Sequence, residues 1–276
     1  NPLGEERGVM RTSLLPGLLD SLLRARRHGV TDVRLFQIGA RFLAPRGGDG
    51  PDARLPVEAR SFAAVVTGKR DAVLTKPEDV DVYDAKGLAV AIAERVTLRP
   101  VAVRHQPVER RAPYLHPRAA GELLVEGTAI GVFGLLHPDV GDLFEIEPAV
   151  VVVEIDVDAL EAIGRRTPQY RPIPTLPAAT RDLALVVAEE VTAGAIEDEI
   201  RASGGALCES VDLFDLFAGQ GIPEGHRSLA FHVVYRDPKA STDPEKARTL
   251  TDAEIDKQHA AVIAAVSRRF GAELRG

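Results

Sequence analysis

The sequence predicts an α+β fold divided into two domains, and three observations lead to that prediction. The chain has 276 residues, of which 45% are hydrophobic and 27% charged, as expected of a soluble globular protein with one large domain or two smaller ones. Helix-like and strand-like periodicities are interspersed in both halves. Between the halves, Gly164–Pro177 contains four prolines, which neither continue a helix nor donate to a sheet.

In the first half, apolar periodicity predicts three helices and five strands. Leucines at helical spacing define the first helix, and Gly29 ends it. The predicted helices are Leu14–His28, Val82–Val96 and a short segment that ends near Ile163. The predicted strands are Val33–Leu43, Phe62–Thr67, Glu122–Val125, Ala129–Leu136 and Val150–Asp156.

The second half predicts the order β-α-β-β-α-β, which is the ferredoxin-like split motif. The glycine-rich segment Gly219–Gly225 is followed by a strand and not by a helix, so it is predicted to be a hairpin turn and not a phosphate loop. The predicted elements are Asp182–Val187, Ala193–Ala202, Leu207–Phe217, Ser228–Arg236, Thr251–Phe270 and Ala272–Leu274. This topology hosts many functions and names none of them.

Alternation along Ser228–Arg236 predicts a packed face and an open face of this sheet. The apolar set, which includes Phe231 and Tyr235, should pack on the helices. The other set, which includes Ser228 and His232, should face outward. Such an open face would lack the stacking aromatics of an RNA recognition motif, so small polar groups would have to read a base by hydrogen bonds.

Catalytic and metal-binding patterns find no support in the sequence. The seven histidines lie outside HExxH and CxxC contexts, and the pairs His116-Pro117 and His137-Pro138 are predicted to be turns in preference to a metal pair. Cys208, the one cysteine, has no evident histidine partner and excludes an internal disulfide, which fits a reducing cytoplasm. The net charge of −7 weighs against a general nucleic-acid binder, so any RNA contact should use a local patch. No apolar run is long enough to span a membrane.

An ordered set of short motifs resembles the β-subunit family of bacterial phenylalanyl-tRNA synthetases over essentially the whole chain. The motifs are Asn1–Leu3, Val9–Leu19, Val33–Gly39, Tyr114–Pro117, Ile130–Pro138, Arg181–Ala184, Phe214-Asp215, Gly221–Gly225, Ser228–Phe231, Arg236-Asp237 and Thr249–Asp252. The resemblance implies that residues 1–166 form a catalytic-like module, related to class II synthetases but inactive. It implies a linker at 167–177 and a ferredoxin-like anticodon-binding domain at 178–276.

The family is an α2β2 ligase of the cytoplasm that charges tRNA(Phe) with phenylalanine. The resemblance implies that ATP and magnesium are used at the active site of the α subunit, and that this chain holds no cofactor, metal ion or catalytic residue. It implies the α subunit and tRNA(Phe) as partners, and no membrane. The chain is expected to be a fragment, because the family's editing domain lies upstream of the matching region.

The resemblance points to Asp215 and Ser228 as groups that hydrogen-bond an anticodon base. Arg181, Arg227 and Arg236 could neutralise phosphates. Each of the five residues also has an ordinary structural interpretation, such as a turn, an ion pair or plain surface. An insertion at Lys239–Arg248 relative to the family pattern is expected to add basic residues beside the RNA-binding face.

Two other functions stay open on sequence alone. One is a free-standing ferredoxin-like module that regulates by binding a small ligand. The other is an independent enzyme, which would activate an amino acid without a partner.

Overall fold

A computed structural model describes residues 8–45, 47, 54–106, 111–146, 149–170 and 172–275. The Asn1–Leu3 motif lies outside these described residues. The chain divides into two compact units, Asn1–Pro168 and Gln169–Gly276. The division falls within the proline-rich segment.

The first unit is built on a six-stranded antiparallel sheet with the strand order β1-β2-β6-β5-β4-β3. Its strands are β1 (Val33–Leu43), β2 (Val57–Thr67), β3 (Val101–Arg104), β4 (Leu115–Val125), β5 (Thr128–Leu136) and β6 (Val151–Asp156). Its helices are α1 (Leu15–Arg27), α2 (Val82–Thr97), α3 (Pro138–Leu143) and α4 (Val157–Ile163).

Both faces of this sheet are covered by apolar side chains. Alternation along β6 sends Val152 into a cluster with the leucines of α1, and Val153 into a cluster with the alanines of α2. A strand buried on both faces is a continuous apolar run, which is why β6 was evident in the sequence. The sequence did not reveal β3 and α3, because four and six residues are too few to establish a period.

The two His-Pro pairs lie in different elements, although Nδ1 of His116 accepts from the backbone N–H of Arg118 at 3.2 Å just as His137 accepts from Asp139. His137 is the N-cap of α3, and its Nδ1 accepts from the backbone N–H of Asp139 at 3.2 Å, as a turn-forming role predicts. His116 lies inside β4, where the pairing with β5 is irregular between Leu115 and Ala120. The prediction of a turn at His116-Pro117 was therefore wrong, because the irregular register lets the strand continue through the proline.

The second unit has the predicted β-α-β-β-α-β order, and its antiparallel sheet runs β10-β7-β9-β8. The elements are β7 (Ala179–Ala188), α5 (Ala193–Gly204), β8 (Cys208–Phe217), β9 (His226–Tyr235), α6 (Asp252–Phe270) and β10 (Glu273–Leu274). Thr251 and Glu254 form a capping box that begins α6, and Gly271 ends it with φ 64°. The predicted α+β class and ferredoxin-like topology are confirmed.

Candidate nucleic-acid interface

One face of the second unit's sheet packs on helices and the other is open. Leu229, Phe231 and Val233 of β9 are fully buried in a core that includes apolar residues of α5 and α6. The residues between them alternate to the open face. The predicted assignment of β9 to two faces therefore holds in the structure.

A β-bulge in β8 changes which side chains reach the open face. Leu213 pairs with Phe231, but the next paired residue, Asp215, lies opposite Ala230, so Phe214 is the extra residue. From Asp215 onward, odd-numbered side chains lie on the open face, whereas in the first part of the strand they lie on the helix face. Phe217 consequently pairs with Ser228 on the open face instead of turning toward the helices.

The open face therefore carries aromatic rings, and the expectation that it lacks them was wrong. Phe214 is 50% exposed and Phe217 is 37% exposed. That expectation rested on β9 alone, whose aromatics do point inward, whereas the exposed rings come from β8. One feature of the sequence could have indicated these exposed rings. Four large apolar residues surround Asp215, namely Leu213, Phe214, Leu216 and Phe217. One face of a regular strand cannot hold all four, so some of them must lie on the other face.

The ring of Phe214 lies on the ring of His232. The two centroids are 3.8 Å apart and the planes differ by 11°. Nδ1 of His232 lies 2.6 Å from Oδ1 of Asp182, its cross-strand neighbour on β7. Residues that lie opposite one another on neighbouring strands form a row across the sheet. Asp212 on β8 lies in the row of His232 and Asp182, and its carboxylate accepts from the Ser210 hydroxyl at 3.0 Å.

A second aromatic group lies two rows along the face. The guanidinium carbon of Arg275 lies 4.9 Å from the ring centroid of Phe217, within the range of a cation–π contact. Ser228 sits in the same row, between Val186 on β7 and Phe217 on β8, and is only 3% exposed. Asp215, one row away, is exposed. Of the five predicted site residues, Asp215 and Ser228 thus share the open face.

Arg181 lies on the helix side of the sheet. It pairs with Val233 across the β7–β9 ladder, and its Nη2 lies 3.0 Å from Oδ1 of Asp256 and 3.2 Å from Oδ1 of Asp252, both on α6. Hydrogen bonds to Asp256 and then to Asp252 raise the pKa of Arg181. The arginine therefore joins the sheet to α6 and does not share the face of Asp215.

Arg227 and Arg236 also have partners within the unit. Arg227 lies in the row of Val187 on the helix side, where its Nη2 donates to the carbonyl of Val191 at 2.8 Å and its Nε is buried without a hydrogen-bond partner. Arg236 follows the end of β9. Its Nε lies 2.8 Å from Glu209, and its Nη1 donates to the carbonyl of Leu176.

Two basic residues of the segment Lys239–Arg248, which was predicted to be an insertion, form local ion pairs. Lys246 pairs with Asp243 at 2.7 Å, and Arg248 pairs with Glu254 at 2.6 Å. The carboxylate of Asp237 accepts from the backbone N–H groups of Lys239 and Arg248, and these bonds lower its pKa. The segment is thereby tied back onto its own chain and onto the first turn of α6.

The first unit contains an open polar cleft of about 490 Å³ over β4, β5 and β6. Glu154 accepts from the hydroxyl of Ser13 at 2.7 Å and from the hydroxyl of Tyr114, and Arg41 lies 3.1 Å from Asp156. Burial raises the pKa of Tyr114, and the nearby Glu154 carboxylate raises it further. Glu154 and Asp156 thus have partners within the unit, whereas Nε of Arg41 is buried without a hydrogen-bond partner.

The described part of the chain contains neither a cluster of potential metal ligands nor a helix that could span a membrane. Among those residues, no three or more His, Cys, Asp or Glu side chains come together as potential metal ligands. Within the same ranges, every helix is too short or too polar to cross a membrane.

Comparison with known proteins finds matches to both units. Residues 1–157 match the family described as "Phenylalanyl tRNA synthetase beta chain CLM domain", and residues 174–275 match "Ferredoxin-fold anticodon binding domain". The chain is 39% identical to the phenylalanine–tRNA ligase beta subunit of Anaeromyxobacter dehalogenans and 36% identical to that of Moorella thermoacetica, in both cases over 100% of its length. It spans 33% and 32% of those two proteins.

A solved pyrrolysyl-tRNA synthetase from Desulfitobacterium hafniense overlaps 55% of this chain and 49% of its own, with 12% identity and a TM-score of 0.38.

Proposed function

Because the chain belongs to the phenylalanyl-tRNA synthetase beta chain family, we propose that it is part of a phenylalanine–tRNA ligase and that its second unit binds the anticodon region of tRNA(Phe). The observation that carries this proposal is the open sheet face, where exposed aromatic rings flank groups able to bond a base edge. Family membership favours this function over a free-standing regulatory module and over an independent enzyme.

The whole enzyme, in this proposal, is a cytoplasmic α2β2 assembly that charges tRNA(Phe) in an ATP-dependent reaction. ATP, phenylalanine and magnesium bind to the α subunit, and the first unit of this chain supports that subunit as an inactive catalytic-like module. The mutual pairing in the polar cleft favours a scaffolding role, since Glu154 and Asp156 already bond partners within the unit.

The open face offers two kinds of contact to an unpaired base. Single-stranded RNA bases stack on aromatic side chains, and Phe217 presents such a ring with Arg275 against it. Asp215 is exposed beside it and can accept from a base amino or imino group. Ser228 lies opposite Phe217 but is buried, so its hydroxyl would reach a base only after a neighbouring side chain moves.

Phosphate contact in this proposal falls chiefly to Arg275, which is exposed on the open face. Arg181 and Arg227 contact groups on the helix side, and Arg236 is held by Glu209 and Leu176. A role for Arg236 at the rim of the face would require it to exchange one of those partners for a phosphate.

Fluorescence anisotropy of labelled anticodon stem–loops, titrated with the whole chain, tests the proposal. We expect the tRNA(Phe) stem–loop to bind more tightly than an unrelated one, with an affinity that falls steeply as salt is raised. Phe217→Leu should weaken binding about tenfold, a typical loss for one stacked base. Equal affinity for the two stem–loops would contradict specific recognition.

A matched pair of carboxylate variants separates recognition of a base by Asp215 from the general effect of removing one negative charge. Asp215→Ala and Asp198→Ala each remove one exposed carboxylate, the first from the open face and the second from α5 on the opposite side. We expect Asp215→Ala to reduce the discrimination between stem–loops and Asp198→Ala to leave it unchanged. The same discrimination in both variants would remove Asp215 from the recognition site.

A further inference from the structure

We propose that Asp182, His232 and Phe214 form a preorganised platform on which one unpaired RNA base stacks. His232 is a positioning residue in this platform, because it acts through Phe214 and not by contact with the base. This inference rests on the proposed RNA-binding function and adds a second stacking site to that of Phe217.

The geometry of the two rings carries the proposal. They are nearly parallel, with an interplanar angle of 11°, and their centroids are 3.8 Å apart. His232 therefore covers one face of Phe214. Because Phe214 is nevertheless 50% exposed, its accessible surface is the opposite face and the ring edges. A flat apolar ring backed by a second ring is a surface on which a base can stack.

Asp182 fixes the orientation of the supporting ring. A carboxylate only accepts hydrogen bonds, so the 2.6 Å contact requires Nδ1 of His232 to carry the proton that it donates to Oδ1 of Asp182. The two residues are directly opposite each other on β7 and β9, in the middle of the sheet. The histidine ring thus has a backbone position set by two strands and a ring plane set by a hydrogen bond.

The bulge makes such support necessary. Phe214 is the extra residue of β8, between the paired residues Leu213 and Asp215, so the regular ladder does not hold it directly. An exposed side chain that must be immobilised on binding loses conformational freedom, and that loss reduces affinity. Contact with His232 restricts Phe214 before RNA arrives, so less freedom is lost when a base stacks on it.

The platform should contribute affinity and not base identity. Every base has a stacking face, so stacking tolerates all four bases. Selection among bases requires a hydrogen-bonding group such as Asp215, which follows Phe214 directly in the chain. Loss of the platform is therefore expected to weaken cognate and unrelated stem–loops by the same factor, unlike loss of Asp215.

A fluorescent base reports the stack directly. Stem–loops with 2-aminopurine at each unpaired position in turn are titrated with the whole chain. We expect at least one position to be quenched on binding, with the quenching lost in Phe214→Leu and affinity reduced about tenfold. His232→Ala should weaken binding about fivefold. The double variant should bind like Phe214→Leu alone, because His232 acts only through that ring.

Two aspartates in one row provide a matched control for the positioning step. Asp182→Ala and Asp212→Ala each remove one carboxylate from the row of His232, but only Asp182 bonds the histidine. Removal of a negative charge near phosphates should favour RNA binding in both variants. We expect Asp212→Ala to bind as tightly as the wild type or more tightly, and Asp182→Ala to bind about threefold more weakly.

The outcomes separate this inference from the proposed function. Wild-type binding that discriminates between stem–loops, together with full affinity and full quenching in Phe214→Leu, would overturn the platform and leave anticodon recognition standing. Equal effects of Asp182→Ala and Asp212→Ala would overturn the positioning role. Failure of the wild-type chain to bind the cognate stem–loop would overturn the proposed function and the platform with it.

Discussion

The two faces of the second unit's sheet use similar residues in opposite ways. On the helix face, Phe231 and Tyr235 are almost wholly buried in the core. On the open face, Phe214 and Phe217 remain 50% and 37% exposed, each against one charged or polar partner. The side of the sheet, and not the residue type, decides whether an aromatic ring serves stability or is available to a ligand.

Arginines follow the same division. Arg181 on the helix face bonds two aspartates of α6, whereas Arg275 is exposed over Phe217 on the open face. A count of basic residues in the sequence treats the two as equivalent. The structure distinguishes an arginine that joins two elements from one that can meet a phosphate.

The largest expected difference between the faces is in stability. Phe231→Ala should lower the free energy of unfolding by about 3–5 kcal/mol, because it empties a fully buried site. Phe214→Ala removes the same ring from a half-exposed site, where it stacks on His232, and should lower the free energy of unfolding by only about 1 kcal/mol. Urea unfolding of both variants measures the contrast. Similar losses would mean that the open face also stabilises the fold.

A smaller effect is expected from the start of α6, which packs on the helix face. Thr251→Ala removes half of a capping box and should lower the free energy of unfolding by about 1 kcal/mol. Affinity for the anticodon stem–loop should not change, because the cap lies on the helix side. Thr249→Ala, two residues earlier and outside the cap, serves as the control. A loss of RNA affinity in Thr251→Ala would contradict the separation of the two faces.

The two arginines should differ in their contribution to salt dependence. Arg275→Ala should reduce the slope of log K against log salt concentration by about 0.7, the value for one phosphate contact on single-stranded RNA. Arg181→Ala should leave the slope unchanged, because its charge is paired with Asp256 and Asp252. Anisotropy titrations over a series of salt concentrations give both slopes. Equal reductions would place Arg181 among the phosphate contacts.

The smallest expected effect is a pH dependence of the free energy of unfolding, which arises from His259 on the helix side of the sheet. Burial lowers the pKa of His259 from its ordinary value of 6.5, and Arg181 lowers it further. Below about pH 6.5 the unfolded chain therefore binds more protons than the folded chain, and stability falls as the pH falls. His259→Gln keeps a possible acceptor for the Tyr235 hydroxyl but does not titrate. The unfolding free energy of this variant should decline less between pH 7 and pH 5 than that of the wild type. The same decline in both proteins would show that His259 does not cause the pH dependence.

The sequence revealed the elements of the second unit but only part of its binding face. Strict alternation assigned the two faces of β9 correctly, since the pairing of β9 with β7 is regular along its length. It failed at β8, because a bulge shifts the period at Phe214 without a glycine or proline to mark it. The contacts of Arg181 with α6 join residues 71 and 75 positions apart, and no local pattern predicts such a pairing.

The bulge in β8 also bears on whether a strand of another chain can pair with this sheet. Among the described residues, β8 is one of the two edge strands of its sheet, and a flat edge strand can pair with a strand of another chain. An interrupted ladder and outward carboxylates at Asp212 and Asp215 make that addition unfavourable. The bulge that turns Phe214 outward thus places an apolar ring at a sheet edge and at the same time hinders another strand from pairing with that edge.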